Sequence, residues 1–192
     1  MTTMTTCEDW SLGDPFISNK GAKSCRLIAP NGKAVCTIDD WTVSPFGPST
    51  FDRDGSAPRQ NFEIRVTGAA LETFKGIDEW ARHYILQHCE RLLDKKLDAE
   101  QIREMYRPLL SYRHSDPMLR CKISMPNALK PTRIWTTDGK QGALPEGLLW
   151  RETEICAKTH VSHLWIMGSQ FGLVLNLTDL CYRGGAAIFP IG

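Results

Sequence analysis

The sequence predicts an α+β fold in which an antiparallel β-barrel is interrupted once by a long helix and a short helix. Short runs with the two-residue apolar period of strands occupy both ends of the chain. Between them, residues 69–93 follow the period of an amphipathic helix. The chain has 192 residues, a length that suits one domain with a single hydrophobic core.

These periods divide the chain into three parts. Residues 1–21 show no apolar period, and we interpret them as a flexible N-terminal lead-in. Residues 22–183 are predicted to form the single domain, with the helices inserted at about residues 69–106. Residues 184–192 are interpreted as an apolar C-terminal tail that could close the barrel or dock on a neighbouring subunit.

Strands before the helices are recognised by β-branched and alternating residues bounded by turn signals. They are predicted at residues 24–29, 34–38, 41–43 and 61–66. Asn31 and Gly32 both tolerate positive φ, so the first two of these strands are expected to form a hairpin. Residues 44–59 are rich in Pro, Gly and Ser and are interpreted as a surface loop.

The helical insertion has a start signal and a stop signal. A short second helix is expected to begin near Asp98, whose side chain caps free amides while Gln101 reaches back. It should end before Pro108, because the proline ring blocks continuation. Strands then resume, and they are predicted at residues 109–113, 120–125, 132–136, 149–158, 161–167 and 171–177.

The net charge is only +1, but the charge is unevenly distributed. Residues 103–133 contain seven basic side chains against Glu104 and Asp116 alone. Phosphates are attracted over roughly one Debye length, about 8–10 Å, so a local basic face matters more than the total charge. The basic residues are Arg103, Arg107, Arg113, Arg120, Lys122, Lys130 and Arg133.

Alternation along two strands places cations beside an aromatic ring. Arg120 and Lys122 share one face of their strand, and Arg133 and Trp135 share a face of the next. An exposed ring stacks on an unpaired base, worth about 1–3 kcal/mol, while a cation follows the phosphates. These residues therefore predict sequence-tolerant binding of single-stranded DNA. Further candidates for this site are Lys130, Arg113, Tyr112, Phe51, Arg53, Arg65 and Trp41.

Alternative interpretations of the same residues stay open. Trp135 could point into the core, whereas Trp165 and Phe171 lie in the most apolar strand pair and are expected to be core. The strand surface could bind single-stranded RNA instead of DNA. The barrel and helices could also serve as a scaffold for a protein partner, a function that the near-zero net charge and apolar tail favour.

No catalytic activity, cofactor or metal is expected. The sequence lacks the phosphate-binding lysine motif, the dinucleotide glycine motif and the serine hydrolase motif. Glu152 and Glu154 are predicted to share a strand face, and such a pair of carboxylates could hold Mg²⁺. A metal-dependent nuclease is therefore the alternative function. His160 and His163 are three apart on a predicted strand and are expected on opposite faces.

The expected location is intracellular, in a nucleus or at a viral replication site. No apolar run approaches the roughly 20 residues of a membrane helix, and the first residues lack the cationic and apolar segments of a signal peptide. The seven cysteines are scattered and never form a C-x-x-C pair. This pattern favours reduced thiols.

Four stretches, taken in order, resemble the single-stranded-DNA-binding proteins of large eukaryotic DNA viruses and, more distantly, those of tailed phages. They are the aromatic loop 41–47 leading to strand 62–66, the Phe74-Lys75-Gly76-Ile77-Asp78 helix segment, the short helix and Tyr106-Arg107-Pro108 turn before basic strand 120–123, and the closing strands 163–166 and 171–177.

This resemblance implies an oligonucleotide/oligosaccharide-binding (OB) type barrel that protects single strands during replication, recombination or repair. Replication proteins and a second copy of the chain are further partner classes, and no membrane is expected as a partner. Phage members end in an acidic tail that recruits partners, whereas residues 186–192 here carry no charged side chain.

Overall fold

The computed structural model describes residues 7–17, 21–30, 32, 34–50, 56–145 and 147–184. β-Strands are the commonest regular structure among these residues, and two α-helices interrupt the strands once, as predicted. A 3₁₀ turn, Trp150–Glu152, precedes β9. The elements are β1 (Ser11–Ile17), β2 (Lys23–Ile28), β3 (Val35–Val43), β4 (Arg59–Arg65), α1 (Gly68–Leu93), α2 (Ala99–Met105), β5 (Leu110–Arg113), β6 (Asp116–Ser124), β7 (Arg133–Trp135), β8 (Gln141–Gly142), β9 (Thr153–Met167) and β10 (Gln170–Gly184).

The long hairpin β9–β10 is the centre of the sheet. The strand order is β1-β2-β9-β10-β6-β4, with β3 beside β9, β5 beside β6, and β7 between β10 and β8. In the described part of the chain these pairings form an open path, not a closed ring. Both β6 and β7 run parallel to β10, so the all-antiparallel prediction is wrong there. All of β9 separates them from β10 in the chain, so no tight hairpin fixes their direction.

The predicted hairpin between the second and third strands is also wrong. β2 pairs with β9 from Lys23 to Arg26, and β3 pairs with the earlier half of β9 from Val35 to Val43. The two strands therefore follow each other along one long strand instead of pairing with each other. A strand of 15 residues offers enough backbone for two partners end to end. Asn31 lies outside the described residues.

The expected lead-in at residues 1–21 differs from the structure, which places β1 there. Trp10 and Leu12 are buried in the core, and β1 pairs with β2. The register shifts between Leu12 and Pro15, so the apolar alternation is interrupted within the strand. Because of that irregularity, the two-residue period of a strand cannot be recognised in this part of the sequence. Of the predicted tail, residues 185–192 lie outside the described part.

A register shift in the β9–β10 hairpin decides which side chains face outward. His160 pairs with Asn176 and His163 pairs with Val174, two positions that lie on the same face of β10. The two histidines therefore share a face, and the expectation of opposite faces is wrong. The predicted strands 149–158 and 161–167 form the single strand β9, whose start is preceded by the 3₁₀ turn.

The core lies between α1 and the inward-facing residues of the sheet. α1 buries Phe74, Ile77, Ala81 and Ile85 along one face, at the predicted helical spacing. α2 begins with the predicted capping box: Asp98 accepts a bond of 2.9 Å from the Gln101 amide, and Gln101 accepts one of 3.0 Å from the Asp98 amide. The inner residues of β9 and β10 complete this core, and they include Ile155, Val161, Leu164, Leu173, Leu175 and Leu177. The alternate residues of the hairpin form its outer face.

Gly47 is expected to be irreplaceable even by alanine. Its φ is +66°, and an added Cβ would lie 2.2 Å from Cδ1 of Trp150, which packs edge-on against Phe62. Overpacking of this kind costs about 1–3 kcal/mol, so Gly47→Ala should lower the free energy of unfolding by that amount in urea titration. Gly76→Ala is the control: nothing lies within 4 Å of an added Cβ in α1, so it should raise stability by up to about 1 kcal/mol. Equal effects from the two substitutions would contradict this account.

Candidate nucleic-acid interface

The outer face of the sheet is polar and basic near the middle of β6 and β10. Lys122 on β6 pairs with Asn61 on β4 and with Asn176 on β10. The Lys122 ammonium donates a hydrogen bond to the Asn61 side chain, and the Arg59 guanidinium donates one to the Asn176 side chain. The cations are thus held by neutral amides, which fix their position without cancelling their charge.

A cleft of about 430 Å³ opens beside the paired residues Asn61, Lys122 and Asn176. The strands β6 and β10 pair through Lys122 and Asn176, and the cleft lies next to that pair. Cations and apolar side chains both line it: Asn61, Arg107, Pro108, Leu109, Arg120, Cys121, Lys122, Trp165, Met167, Leu173, Val174 and Leu175. We call the group Arg107, Arg120, Lys122 and Trp165 the basic cleft.

Gly172 makes room for the aromatic member of the basic cleft. It pairs directly with Trp165 across the hairpin. An added Cβ at Gly172 would lie 3.1 Å from Nε1 of Trp165 and 2.5 Å from the carbonyl oxygen of Arg107. The indole and the Arg107 backbone therefore both occupy space that any larger residue would fill.

A buried carboxylate holds the turn that carries Arg107. Asp78 on α1 accepts hydrogen bonds from the Tyr106 hydroxyl at 2.6 Å, the Leu109 amide at 2.9 Å and the Leu110 amide at 3.2 Å. Burial raises the pKa of Asp78, and these hydrogen bonds oppose that rise. The Arg107 amide donates to the Phe171 carbonyl at 2.8 Å, which joins the turn to β10.

The cations around the basic cleft are not paired with carboxylates in the described part of the chain, and Glu63, which lies opposite Arg120 on β4, pairs with Arg113 instead. Within the described residues, Arg59, Arg107, Arg120 and Lys122 form no ion pair with a carboxylate. Burial lowers the pKa of Lys122, and the nearby Arg59 charge lowers it further. Burial and Arg59 also lower the pKa of His163. Cations that repel one another in this way favour an anionic ligand, because its charge relieves the repulsion.

The predicted pair Arg133 and Trp135 forms a separate group further along β10. Both lie on the outer face, and Trp135 is half-buried, so it does not belong to the core. Asp179 accepts from Arg133 Nε at 2.7 Å and Nη2 at 2.8 Å, and from Trp135 Nε1 at 2.9 Å. Burial alone would raise the pKa of Asp179, but these hydrogen bonds lower it. The charge of Arg133 is therefore largely compensated.

The other predicted residues are dispersed. Arg65 pairs with Asp116 at 2.6 Å, and Arg113 pairs with Glu63 at 3.1 Å. Tyr112 is 60 % exposed near them on β5. The guanidinium carbon of Arg183 lies 4.1 Å from the ring centroid of Trp41. Lys130 is exposed, and Phe51 and Arg53 are outside the described residues. Of the eleven predicted residues, the structure brings Arg120 and Lys122 together in the basic cleft.

Sequence reasoning missed the aromatic residue of this cleft. Phe171 is buried as predicted, whereas Trp165 is half-buried and lines the cleft. The available signal was the alternation of Trp165 with His163 on β9, opposite a glycine. Arg107 belonged to the basic stretch but was not selected, because its position in a turn hides which way it faces.

The residues considered for catalysis are engaged elsewhere. Glu154 pairs with Arg183 at 2.7 Å, and Glu152 lies in the 3₁₀ turn and not on the predicted strand. Across the described ranges, no group of three or more His, Cys, Asp or Glu residues is arranged to hold a metal ion. Neither helix in the described part of the chain is long and apolar enough to cross a membrane.

Comparison with known proteins identifies similarity in fold only. No family model matches the chain, and no curated protein matches it significantly. A C-terminally truncated single-stranded DNA-binding protein from bacteriophage Enc34 aligns over 93 % of this chain and 98 % of its own, with 11 % identity and a TM-score of 0.50. The gp2.5 single-stranded DNA binding protein of bacteriophage T7 aligns over 81 % of this chain and 94 % of its own, with 9 % identity and a TM-score of 0.50. The chain is therefore similar in fold to phage single-stranded DNA-binding proteins.

Proposed function

We propose that this protein binds single-stranded DNA without strong sequence preference, on the outer face of an OB-like sheet. The observation that carries the proposal is the basic cleft, which three cations and a half-buried tryptophan line together. Among the described residues, none of these cations pairs with a carboxylate. The shared fold with phage proteins of the same activity supports it. Binding, not catalysis, is the role that this geometry favours.

The geometry favours a single strand over a duplex for a physical reason. An indole ring can stack only on a base whose face is free, and paired bases in a duplex hide theirs. Arg120 and Lys122 on β6 are separated from Trp165 on β9 by the single strand β10, so phosphates and bases of one flexible chain can reach both. The biological setting we propose is strand protection during replication, recombination or repair, inside a cell nucleus or a viral replication site.

Salt titration of oligo-dT binding tests the proposal. Three phosphate contacts should give a plot of log K against log salt with a slope of about −2, since each contact on a single strand contributes about −0.7. The double variant Arg120→Gln with Lys122→Gln should flatten this slope by about 1.4. Lys75→Gln is the matched control, because Lys75 lies on α1 and pairs with Glu72 at 2.8 Å. An unchanged slope in the double variant would remove the basic cleft from the site.

Experiments with the same protein and oligonucleotides distinguish two rival functions from DNA binding. Matched RNA and DNA oligomers, single and double stranded, show whether the surface prefers RNA. A protein scaffold is favoured by the exposed aromatics Phe46 and Tyr112, each 60 % exposed. Size-exclusion chromatography with and without oligo-dT distinguishes the scaffold, because a pure scaffold would not change its elution with DNA. It also shows whether the protein forms a homo-oligomer.

A further inference from the structure

We propose that the nucleic-acid surface extends beyond the basic cleft onto the N-terminal hairpin, where Phe16 and Arg26 form a second stacking platform. The inference rests on the proposed function and names the part of the molecule that a longer strand would contact. Nothing in the sequence period indicated it, because residues 1–21 show no strand pattern.

A continuous cross-strand row joins the two places. Phe16 on β1 pairs with Ser24 on β2, Ser24 pairs with Trp165 on β9, and Trp165 pairs with Gly172 on β10. Directly paired residues point to the same face of a sheet. Phe16 and Trp165 are therefore on the outer face together, two strand spacings or about 9–10 Å apart. The small Ser24 between them leaves the path across the sheet unobstructed.

The environment of Phe16 suits a nucleic-acid strand. Its ring is 39 % exposed, and the guanidinium of Arg26 lies 5.6 Å from the ring centroid. A shallow depression beside the pair is lined by Ser24, Ser162 and His163. Aromatic rings and arginine planes both stack on unpaired bases, and arginine also contacts phosphates. Among the described residues Arg26 has no carboxylate partner, so its charge is available to a phosphate.

The direction of the path agrees with the charges. Arg26 pairs with His163 on β9, which in turn pairs with Val174 beside the basic cleft. A strand that follows the row from Trp165 through Ser24 to Phe16 therefore has His163 and Arg26 beside it. Six strands lie side by side from β4 to β1, and their five intervals span about 24 Å. That span accommodates several nucleotides, which is within the range of site sizes for OB-type surfaces.

Binding of oligo-dT of increasing length, from about 4 to 12 nucleotides, tests the extension. Phe16→Ala should leave the shortest oligomers unaffected and weaken the longest roughly fivefold or more, because only the longest reach both platforms. Trp165→Ala should weaken every length. Ile17→Ala is the matched control: Ile17 is the next residue on β1, is 66 % exposed and faces the opposite side, so binding should not change.

The outcomes separate this inference from the proposed function. If Phe16→Ala binds like the parent at every length while Trp165→Ala weakens all of them, the extension is wrong and the basic cleft stands. If neither variant changes binding, the proposed function fails as well. Phe16→Trp provides a direct readout, since quenching of the new indole by long but not short oligomers is expected. Equal loss at all lengths in Phe16→Ala, without rescue by Phe16→Tyr, would show that Phe16 only supports the fold.

Discussion

Replacing Trp165 by alanine is expected to weaken oligo-dT binding by about 1–3 kcal/mol, or roughly 5- to 150-fold, because one base loses its stacking partner. Trp165 lines the same cleft as Arg107, Arg120 and Lys122, so the base that it stacks on belongs to the part of the strand whose phosphates these cations bind. Fluorescence anisotropy of a labelled oligomer at low salt measures the change. Trp165→Phe should recover part of the affinity, because a smaller ring still stacks.

Trp135→Ala is the informative comparison for this result. From the sequence alone, replacing both Trp135 and Arg133 by alanine is expected to weaken binding strongly and to leave the melting temperature nearly unchanged. In the structure, Asp179 binds both side chains, so a phosphate would have to compete with a carboxylate for Arg133. We therefore expect a smaller loss from Trp135→Ala than from Trp165→Ala. The reverse order would place the principal site beside β7 and would falsify our choice of the basic cleft.

The features that the sequence predicted well depend on local chemistry. The capping box at Asp98 and Gln101 involves four consecutive residues, and Pro108 stops α2 through its own ring. The apolar face of α1 follows from a spacing of three and four residues. Strand positions other than those of β1 and the two-residue β8 were recovered for the same reason, since alternation is a property of each segment alone.

The features that the sequence missed depend on distant partners. Whether β2 pairs with β3 is decided by β9, which enters the chain more than one hundred residues later and offers both strands an edge. His160 and His163 lie on the same face of β9 because of a register shift in its pairing with β10. The same holds for the two tryptophans. Trp165 borders a cleft whose other walls come from β6 and the turn after α2, while Trp135 is bound by Asp179, and these neighbours are distant in sequence.

Asp78→Ala should cause a large loss of stability, about 3–5 kcal/mol in the free energy of unfolding. The substitution leaves three buried donors, the Tyr106 hydroxyl and the Leu109 and Leu110 amides, without their acceptor. Each buried unsatisfied donor costs about 1–3 kcal/mol, and water that enters the space left by the carboxylate recovers part of it. Urea unfolding at neutral pH measures the loss.

Asp78→Asn separates the role of the carboxylate in folding from its role in the site. Asparagine keeps one oxygen that accepts from Tyr106 and the Leu109 amide but turns its NH₂ group toward the Leu110 amide, so an intermediate loss of stability is expected. Burial raises the pKa of Asp78 in the folded state, so the parent should lose stability relative to Asp78→Asn as the pH rises from about 4 through that raised pKa.

Because the same turn carries Arg107, the folded Asp78→Asn protein should also bind oligo-dT more weakly, with a salt dependence reduced by up to about 0.7. Normal DNA binding by a destabilised Asp78→Asn would mean that the carboxylate supports the fold without positioning Arg107.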